Sequence, residues 1–571
     1  MSERYEAIIV GSGFGGAINA CRLAKQWPGR VLVLERGKRY GLGSFPRTPH
    51  AMANNFWNIG FEKRTRPSML PAIEQRGLFD VRNFKNMDVI LSAGLGGGSL
   101  IYANVFLEPP DAVFGERWPR SCRKDELQPY YRVAKSVLGS RPIPDMTDPR
   151  RRILRTEMFQ RVARELGRSS TLVDINVFFG NDFKKPLDLG VQDRNRYGAL
   201  QTSCVYCAEC DIGCNYQAKN TLDLNYLYRA ENAYHAAIRT EHLVDRIVPV
   251  NARDEDDPAA DGRNGYRVYY RDLSANGTAR DALANRVVVS AGSLGSTELL
   301  LRCRDVFKTL PLISWQLGKH FSGNGDFLGF VVGTKEPAEP NYGPVITQAT
   351  DFNLFHGFER DQAFILEDAS YPAFAAWFVE GVKPAIFRLP SLWRALRDIW
   401  ARIRGHSAGG PIGYALHDIL TGDLSYNTAV LLSMGHDNSN GLMTLDGGWL
   451  DLAWPTNENR RLYDATLAAG EAFRKATKGK LYFAIPTWWW PMRKNVSVHP
   501  LGGCVLSDTP ETGVTSAARP TFGQVHGYPN LYVADGAIVP NAVGANPTAT
   551  ISALSEMVAQ GITGVSPTAD L

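Results

Sequence analysis

Four of the eight cysteines fall within eleven residues, at Cys204, Cys207, Cys210 and Cys214. Their spacing, C-x2-C-x2-C-x3-C, is that of a cluster-binding loop of bacterial ferredoxins, in which short turns aim four thiolates at one iron-sulfur cube. Asn215 follows where ferredoxins place proline, and in two-cluster ferredoxins the fourth cysteine serves the other cluster. Structural zinc fits less well, because it usually draws its ligand pairs from two separated loops. Free or disulfide-paired cysteines that merely shape a loop are the remaining reading. A second chemical signal is His499, followed by Pro500, Leu501 and two glycines. Such an irregular turn can present a side chain to a ligand, and an imidazole exchanges a proton near neutral pH.

These groups need a framework, and the N-terminal segment supplies one. Tyr5 to Gly16 reads as a strand, a G-x-G-x-x-G turn and a helix start, and the acidic Glu35 closes a second strand, Val31 to Leu34. Gly11 permits the tight turn, Gly13 lets the backbone approach a pyrophosphate, and Gly16 lets helix pack on strand. With Gly15 in the same turn, the pyrophosphate would sit on the positive end of the helix that begins near Phe14. Glu35 can accept a hydrogen bond from a ribose hydroxyl and disfavours a 2'-phosphate. The pattern points to FAD or NAD.

Further pieces suit such a nucleotide. Ser92 to Asn104 is a glycine loop in which Gly94, Gly97 and Gly98 free backbone N–H groups for an anion or a planar ring, while Ser99 and Asn104 offer side-chain hydrogen bonds. A strand from His242 through Val244 to Val250 precedes an exposed hairpin loop, Asn251 to Gly265. A buried strand from Arg286 then runs into a helix-opening turn at Ala291 and Gly292. Near the C-terminus, a strand from Leu531 to Ala534 ends on Asp535 and Gly536, and Asn546, Pro547 and Thr548 open a last helix.

Composition agrees with a large enzyme of two or more domains: 571 residues, 44% hydrophobic, 21% charged. A net charge of +5 is small for this size and argues against nucleic acid as a partner. No apolar run reaches the ~18–20 residues of a membrane span, and the start runs directly into the first strand, so a cytoplasmic protein is expected.

Together these motifs resemble the glucose-methanol-choline family of FAD oxidoreductases, and within it the cholesterol oxidase branch. Five of them stand in the family's order: Gly11 to Gly16 with Glu35, Gly94 to Asn104, Val287 to Gly295, His499 to Cys504, and Asp535 to Pro547. The resemblance implies an α/β fold, a Rossmann-like doubly wound FAD-binding domain built from discontinuous segments with an inserted α+β substrate domain. The expected boundaries are 1–45, 85–120, 200–324 and 495–571 for the FAD-binding domain, and 46–84, 121–199 and 325–494 for the substrate domain and lid segments. It also implies Val244 as the backbone partner of adenine and FAD held noncovalently, since no histidine lies near the 94–104 loop. His499 and Asn546 match the catalytic pair of the family. The alcohol's hydroxyl proton goes to a base while its carbinol hydride moves to flavin N5. Asp535 and Gly536 are expected to reach the ribityl chain or pyrophosphate, and Pro547 and Thr548 to set a helix end against reduced flavin.

The resemblance further implies a bulky secondary alcohol, a 3β-hydroxysteroid, with oxygen or a redox partner as electron acceptor. Secreted sterol oxidases carry an isomerising glutamate in a Pro-Ala-Gly-Leu-Glu-Thr-Trp stretch; here the similar stretch, Pro372 to Trp377, lacks it. Glu367, Asp368 and Glu380 lie nearby, and oxidation is better supported than isomerisation. The cysteine run also looks like the stretch that bacterial FAD glucose dehydrogenases of this family use for an iron-sulfur cluster, which gives a second reading, a polyol or sugar-derivative dehydrogenase with an iron-sulfur relay. A third reading, of another class, is a non-catalytic flavin- or lipid-binding protein. Tyr371, Phe374, Trp377, Phe378, Phe387, Trp393 and Trp400, with Trp488 to Trp490, suit a large apolar pocket or an ordinary core. Leu392, Leu396, Ile399 and Ile403 recur at helical spacing among Arg394, Arg397, Arg402 and Arg404, a pattern consistent with peripheral membrane contact.

Overall fold

The computed structural model describes residues 3–58, 75–115, 117–373, 375–376, 393, 396–397, 399–401, 403–405, 423–489 and 492–571. Uninterrupted apolar runs such as Val31–Leu34 suit strands buried on both faces, the environment of a parallel sheet. Glu3–Val10 pairs in parallel with Val31–Leu34 on one side and Thr278–Val289 on the other, with Ile8 opposite both Leu32 and Val287. Ala237–Arg239 extends the sheet beyond Val31–Leu34, and Leu531–Val533 extends it beyond Thr278–Val289, both in parallel. Helices Phe14–Gln26 and Thr548–Thr563 pack on each other, and the buried Arg22 guanidinium bonds both oxygens of Glu556 at 2.9 and 2.8 Å. This is the α/β doubly wound layer. Segments far apart in the chain build it because each apolar strand finds its register only between the others.

The first half of Thr278–Val289 also pairs antiparallel with Tyr266–Asp272, which pairs with His242–Pro249. A second sheet is wholly antiparallel, in the order Leu481–Ala484, Phe327–Val332, Thr428–Gly435, Phe364–Ala369, Gln348–Phe352, Ser170–Leu172. Helices Leu154–Glu165 and Arg460–Ala476 lie against it, with Phe159 and Phe473 rings 4.5 Å apart over Val331, Phe364 and Leu462. That is the α+β part. In a further, three-stranded sheet Asn495–Ser497 runs parallel to Met87–Ser92. Its last strand leads straight to His499.

Trp488 follows the second of the two alternatives left open for the aromatic residues: it is buried in a small core with Phe327 and Tyr463, ring centroids 5.1 and 5.0 Å away, and packs the domain. Phe374, Trp377, Phe378, Glu380, Phe387, Leu392, Arg394, Arg402 and Trp490 lie outside the described residues. Among the described residues no helix is long and apolar enough to cross a membrane.

Candidate active site

The His499 segment and the loop just ahead of Asn546 are both bonded to a turn that sequence reasoning missed, Ser322 to Asp326. Ser322 and Leu501 exchange backbone hydrogen bonds at 3.0 Å each way, which lays the turn against the His499 segment. Two residues on, the Asn324 side chain accepts from the N–H groups of Val543 and Gly544 at 3.0 and 2.9 Å and donates to the Ala545 carbonyl at 2.9 Å. That amide fixes the loop just ahead of Asn546. Asp326 completes the turn: its Oδ2 accepts from the N–H groups of Val498 (2.7 Å) and His499 (3.1 Å), and its Oδ1 lies 2.8 Å from His499 Nδ1. Two backbone donors already use this carboxyl as an acceptor, so Nδ1 carries the proton and Nε2 keeps its lone pair. Asp437 braces the turn in its place, accepting from Ser322 Oγ at 2.8 Å and the Gly325 N–H at 2.9 Å.

Asn546 has a carboxyl of its own. Its Nδ2 donates to Glu367 Oε2 at 3.4 Å, while Asn546 Oδ1 and Glu367 Oε1 are buried without a protein partner. The strand Phe364–Ala369 aims Glu367 here, whereas its neighbour Asp368 is engaged by Thr156 and Thr347. The glutamate absent from the Pro372 stretch is therefore not a carboxyl absent from the site. Burial pushes the Glu367 acid well above the usual carboxylate range, and the Asn546 bond offsets this only in part. Burial thus favours the protonated form of Glu367. The unfolded chain would release that proton near the ordinary glutamate value of 4.5, so the residue costs stability as pH rises from there until the folded acid itself ionises. Glu367→Gln, which carries no titratable proton, is expected to lose less melting temperature than the wild type as pH rises above the ordinary glutamate range. Parallel thermal-shift profiles for the two proteins would contradict a neutral Glu367.

The nucleotide motifs form a close cradle. Gly11 sits at φ +92°, and a Cβ there would lie 2.3 Å from the Ser290 carbonyl oxygen. A Cβ on Gly97 would lie 2.6 Å from the Gly13 Cα, so the two glycine turns approach backbone to backbone. Helix Phe14–Gln26 begins on Gly13 with no side-chain cap, leaving its N–H groups free for an anion. Asn104 has a left-handed backbone, φ 71°, and its buried amide lies beside the Cys210 thiol.

Models of the GMC oxidoreductase family match residues 5–304 and 456–555. The chain belongs to the GMC oxidoreductase family. As a GMC oxidoreductase it binds FAD and is an FAD-dependent alcohol oxidoreductase. It is 28% identical over 574 residues to a cholesterol oxidase of Acinetobacter baumannii, 97% of this chain and 93% of that one. It is 28% identical over 583 residues to a cholesterol oxidase of Mycobacterium tuberculosis, 98% and 91% of the two chains. Its fold matches that of a fungal aryl-alcohol oxidase with a TM-score of 0.59 at 15% identity over 99% of both chains. Pyridoxine 4-oxidase from Mesorbium loti gives 0.57 at 16% identity over 97% and 98%.

Other motif residues of this GMC oxidoreductase are engaged within the protein. Glu35 accepts from Ser12 N–H (3.1 Å), Ser12 Oγ (2.6 Å) and Gly37 N–H (2.8 Å), which leaves about one of its four acceptor positions for a ribose hydroxyl. Ser99 donates to the Gly96 carbonyl at 2.7 Å and accepts from Leu222 at 3.1 Å, so its hydroxyl shapes the glycine loop. Asp535, pushed up to about 6 by burial, accepts from Gly292 N–H at 2.9 Å and Ala537 N–H at 2.8 Å, joining the turn that follows Ala291 to Gly536. Val244 pairs with Tyr270 at a bulge. Pro547 caps the helix Thr548–Thr563 without a side-chain hydrogen bond.

Proposed function

We propose that the substrate is a bulky secondary alcohol of the 3β-hydroxysteroid class, oxidised to its ketone, with His499 and Asn546 as the residues that handle the hydroxyl. The observation that carries this is the full-length similarity to cholesterol oxidases. Bound FAD supplies the hydride acceptor. The chain's own part is proton and orientation work: His499 Nε2 receives the hydroxyl proton because Nδ1 is committed to Asp326. Asn546, with one amide N–H spent on Glu367, keeps a second to polarise the alcohol oxygen. In this reading the turn from Gly11 to Gly16 holds the pyrophosphate, Glu35 the ribose and Val244 the adenine. The loop Gly94, Gly97, Gly98, Ser99 and Asn104, with Ala291, Gly292, Asp535, Gly536, Pro547 and Thr548, surrounds the rest. The sheets support assigning residues 325–494 largely to the substrate domain.

The test is the visible spectrum of the anaerobic flavoprotein before and after detergent-dispersed cholesterol. Bleached flavin bands are expected. Flavin that stays oxidised with cholesterol but bleaches with a long-chain primary alcohol would move the substrate to that class, which draws on 25% identity over 585 residues to the Arabidopsis thaliana long-chain-alcohol oxidase FAO4B, covering 98% of this chain and 67% of that one. Trp393, Leu396, Ile399, Trp400 and Ile403 are all exposed beside Arg397 and Arg404, a composition suited to an anionic lipid surface. Replacing Trp393 and Trp400 by alanine should then slow bleaching by cholesterol held in anionic vesicles but not in detergent. Equal slowing in both would argue against lipid contact.

A further inference from the structure

Cys204, Cys207, Cys210 and Cys214 are all free thiols. Among the described residues no group of three or more His, Cys, Asp or Glu side chains is placed to hold a metal ion, so the run carries no metal site here. Between its first two cysteines stands Tyr206, whose backbone is left-handed, φ 61°. That conformation is unfavourable for tyrosine and persists where its surroundings impose it, commonly at functional sites. The side chain is 1% exposed, and its hydroxyl is buried with no hydrogen-bond partner in the protein.

Two guanidinium groups share that condition. Arg141 and Arg151 are 7% and 6% exposed, and Arg141 Nη2 and Arg151 Nη1 are buried without a partner. A ring of contacts closes around the three groups. Arg141 Cζ lies over the Phe179 ring, 5.1 Å from its centroid; that ring is 6.3 Å from Tyr206, and Tyr206 is 5.7 Å from Tyr342. Tyr342 donates its hydroxyl to the Arg150 carbonyl at 2.6 Å, and Arg151 Nη2 donates to the Leu187 carbonyl at 2.8 Å. The Leu187 N–H returns to the Phe179 carbonyl at 2.8 Å.

The neighbouring carboxylates lie toward the surface. Asp148, 3.7 Å from Arg151 Nε, is already bonded by the Arg150 side chain at 3.0 Å and the Arg150 N–H at 2.9 Å, and Asp182 is exposed. Burial, reinforced by the like charge of Arg151, pushes Arg141 down to about 10. Buried cations with unused N–H groups are costly and call for a counter-charge. The three unused groups are all donors, drawn from three separate stretches of chain, which suits several oxygens on one anion better than a single acceptor atom.

We infer that Arg141, Arg151 and Tyr206 bind a small oxyanion of the phosphate or sulfate class. It enters where Phe183, 58% exposed, lies over the Arg141 guanidinium at 4.6 Å and closes the site from solvent. Once bound, it fastens the stretches carrying residues 141, 151 and 206 to one another. The inference does not depend on which alcohol is oxidised.

The experiment is thermal unfolding of the full-length flavoprotein, with flavin absorbance confirming bound FAD and inorganic phosphate titrated against sodium chloride at matched ionic strength. Phosphate is expected to raise the melting temperature by a few degrees and to do so saturably, as binding to the native state requires. Arg141→Met is expected to melt no lower than the wild type in chloride, where an unpaired buried charge has gone, and below it in saturating phosphate. Tyr206→Phe keeps the ring and loses only the hydroxyl, so it should weaken phosphate several-fold and melt no lower in chloride. Sulfate as effective as phosphate would mean that the site reads tetrahedral charge alone. A phosphomonoester such as glycerol phosphate acting at lower concentration would make a phosphorylated metabolite the occupant; either result supports the site. No saturable rise above the chloride control overturns the inference. A rise undiminished in both variants overturns its location.

Discussion

Replacing His499 by glutamine is expected to slow anaerobic flavin reduction by alcohol roughly 10²- to 10⁴-fold, the usual worth of a positioned general base. Glutamine can still donate and accept hydrogen bonds at the site, so binding should suffer less than turnover, and KM should move far less than kcat. The flavin absorbance of the purified variant checks that the cofactor is retained. The assignment of Nε2 as base depends on Nδ1 being spent on Asp326 at 2.8 Å. A variant within tenfold of the wild type would mean that the hydroxyl proton leaves by another group.

The second large effect is expected one residue further from the chemistry. Asp326→Asn keeps the volume of the side chain but puts an amide into a place where three N–H groups point, those of Val498, His499 and the His499 ring. An NH2 there repels a donor or turns to use its single carbonyl, and the imidazole loses the partner that fixes its tautomer. In a serine-protease triad the equivalent exchange costs about 10⁴-fold by the same tautomer logic. Here a fall on the order of 10²-fold or more in kcat is expected, with KM little changed. Asp326 is a positioning residue, so the discriminating readout is spectroscopic. Nitrogen-15 shifts of His499 should show the proton on Nδ1 in the wild type and redistributed in the variant. An unchanged tautomer with a large loss of activity would assign Asp326 a purely structural role.

The parts of this site that follow one another along the chain were legible from sequence, because backbone conformation alone demands them. Gly11 and Gly97 must be glycine where a Cβ would strike the backbone of Ser290 or Gly13, and such demands print themselves as motifs. The order of sheet, turn and helix around Glu35 follows for the same reason. Asp326 and Glu367 were not singled out as partners, since each serves a residue more than a hundred positions away. Through-space pairing leaves no periodicity to read. The one local clue was the Ser-Gly-Asn-Gly-Asp run from Ser322, a polar turn too glycine-rich for a plain approach to the strand Phe327–Val332. The aromatic stretch left two alternatives for a different reason. Composition does not distinguish a ring that lines a pocket from one that fills a core, and Trp488 does the latter.

The parallel sheet has a further consequence for how the molecule comes into being. Its first strand, Glu3–Val10, sits beside Thr278–Val289, and the far edge of that strand waits for Leu531–Val533. Gly15 meanwhile packs so tightly on Ala534 that a Cβ would lie 1.2 Å from its carbonyl oxygen. During synthesis the nucleotide turn is thus made early and stays unsupported until residue 534 has left the ribosome. At about 5–20 residues per second that is a delay of roughly half a minute to two minutes. For that interval the nascent chain exposes an apolar strand edge with no partner, the condition in which holding chaperones are most useful and premature pairing between chains most damaging.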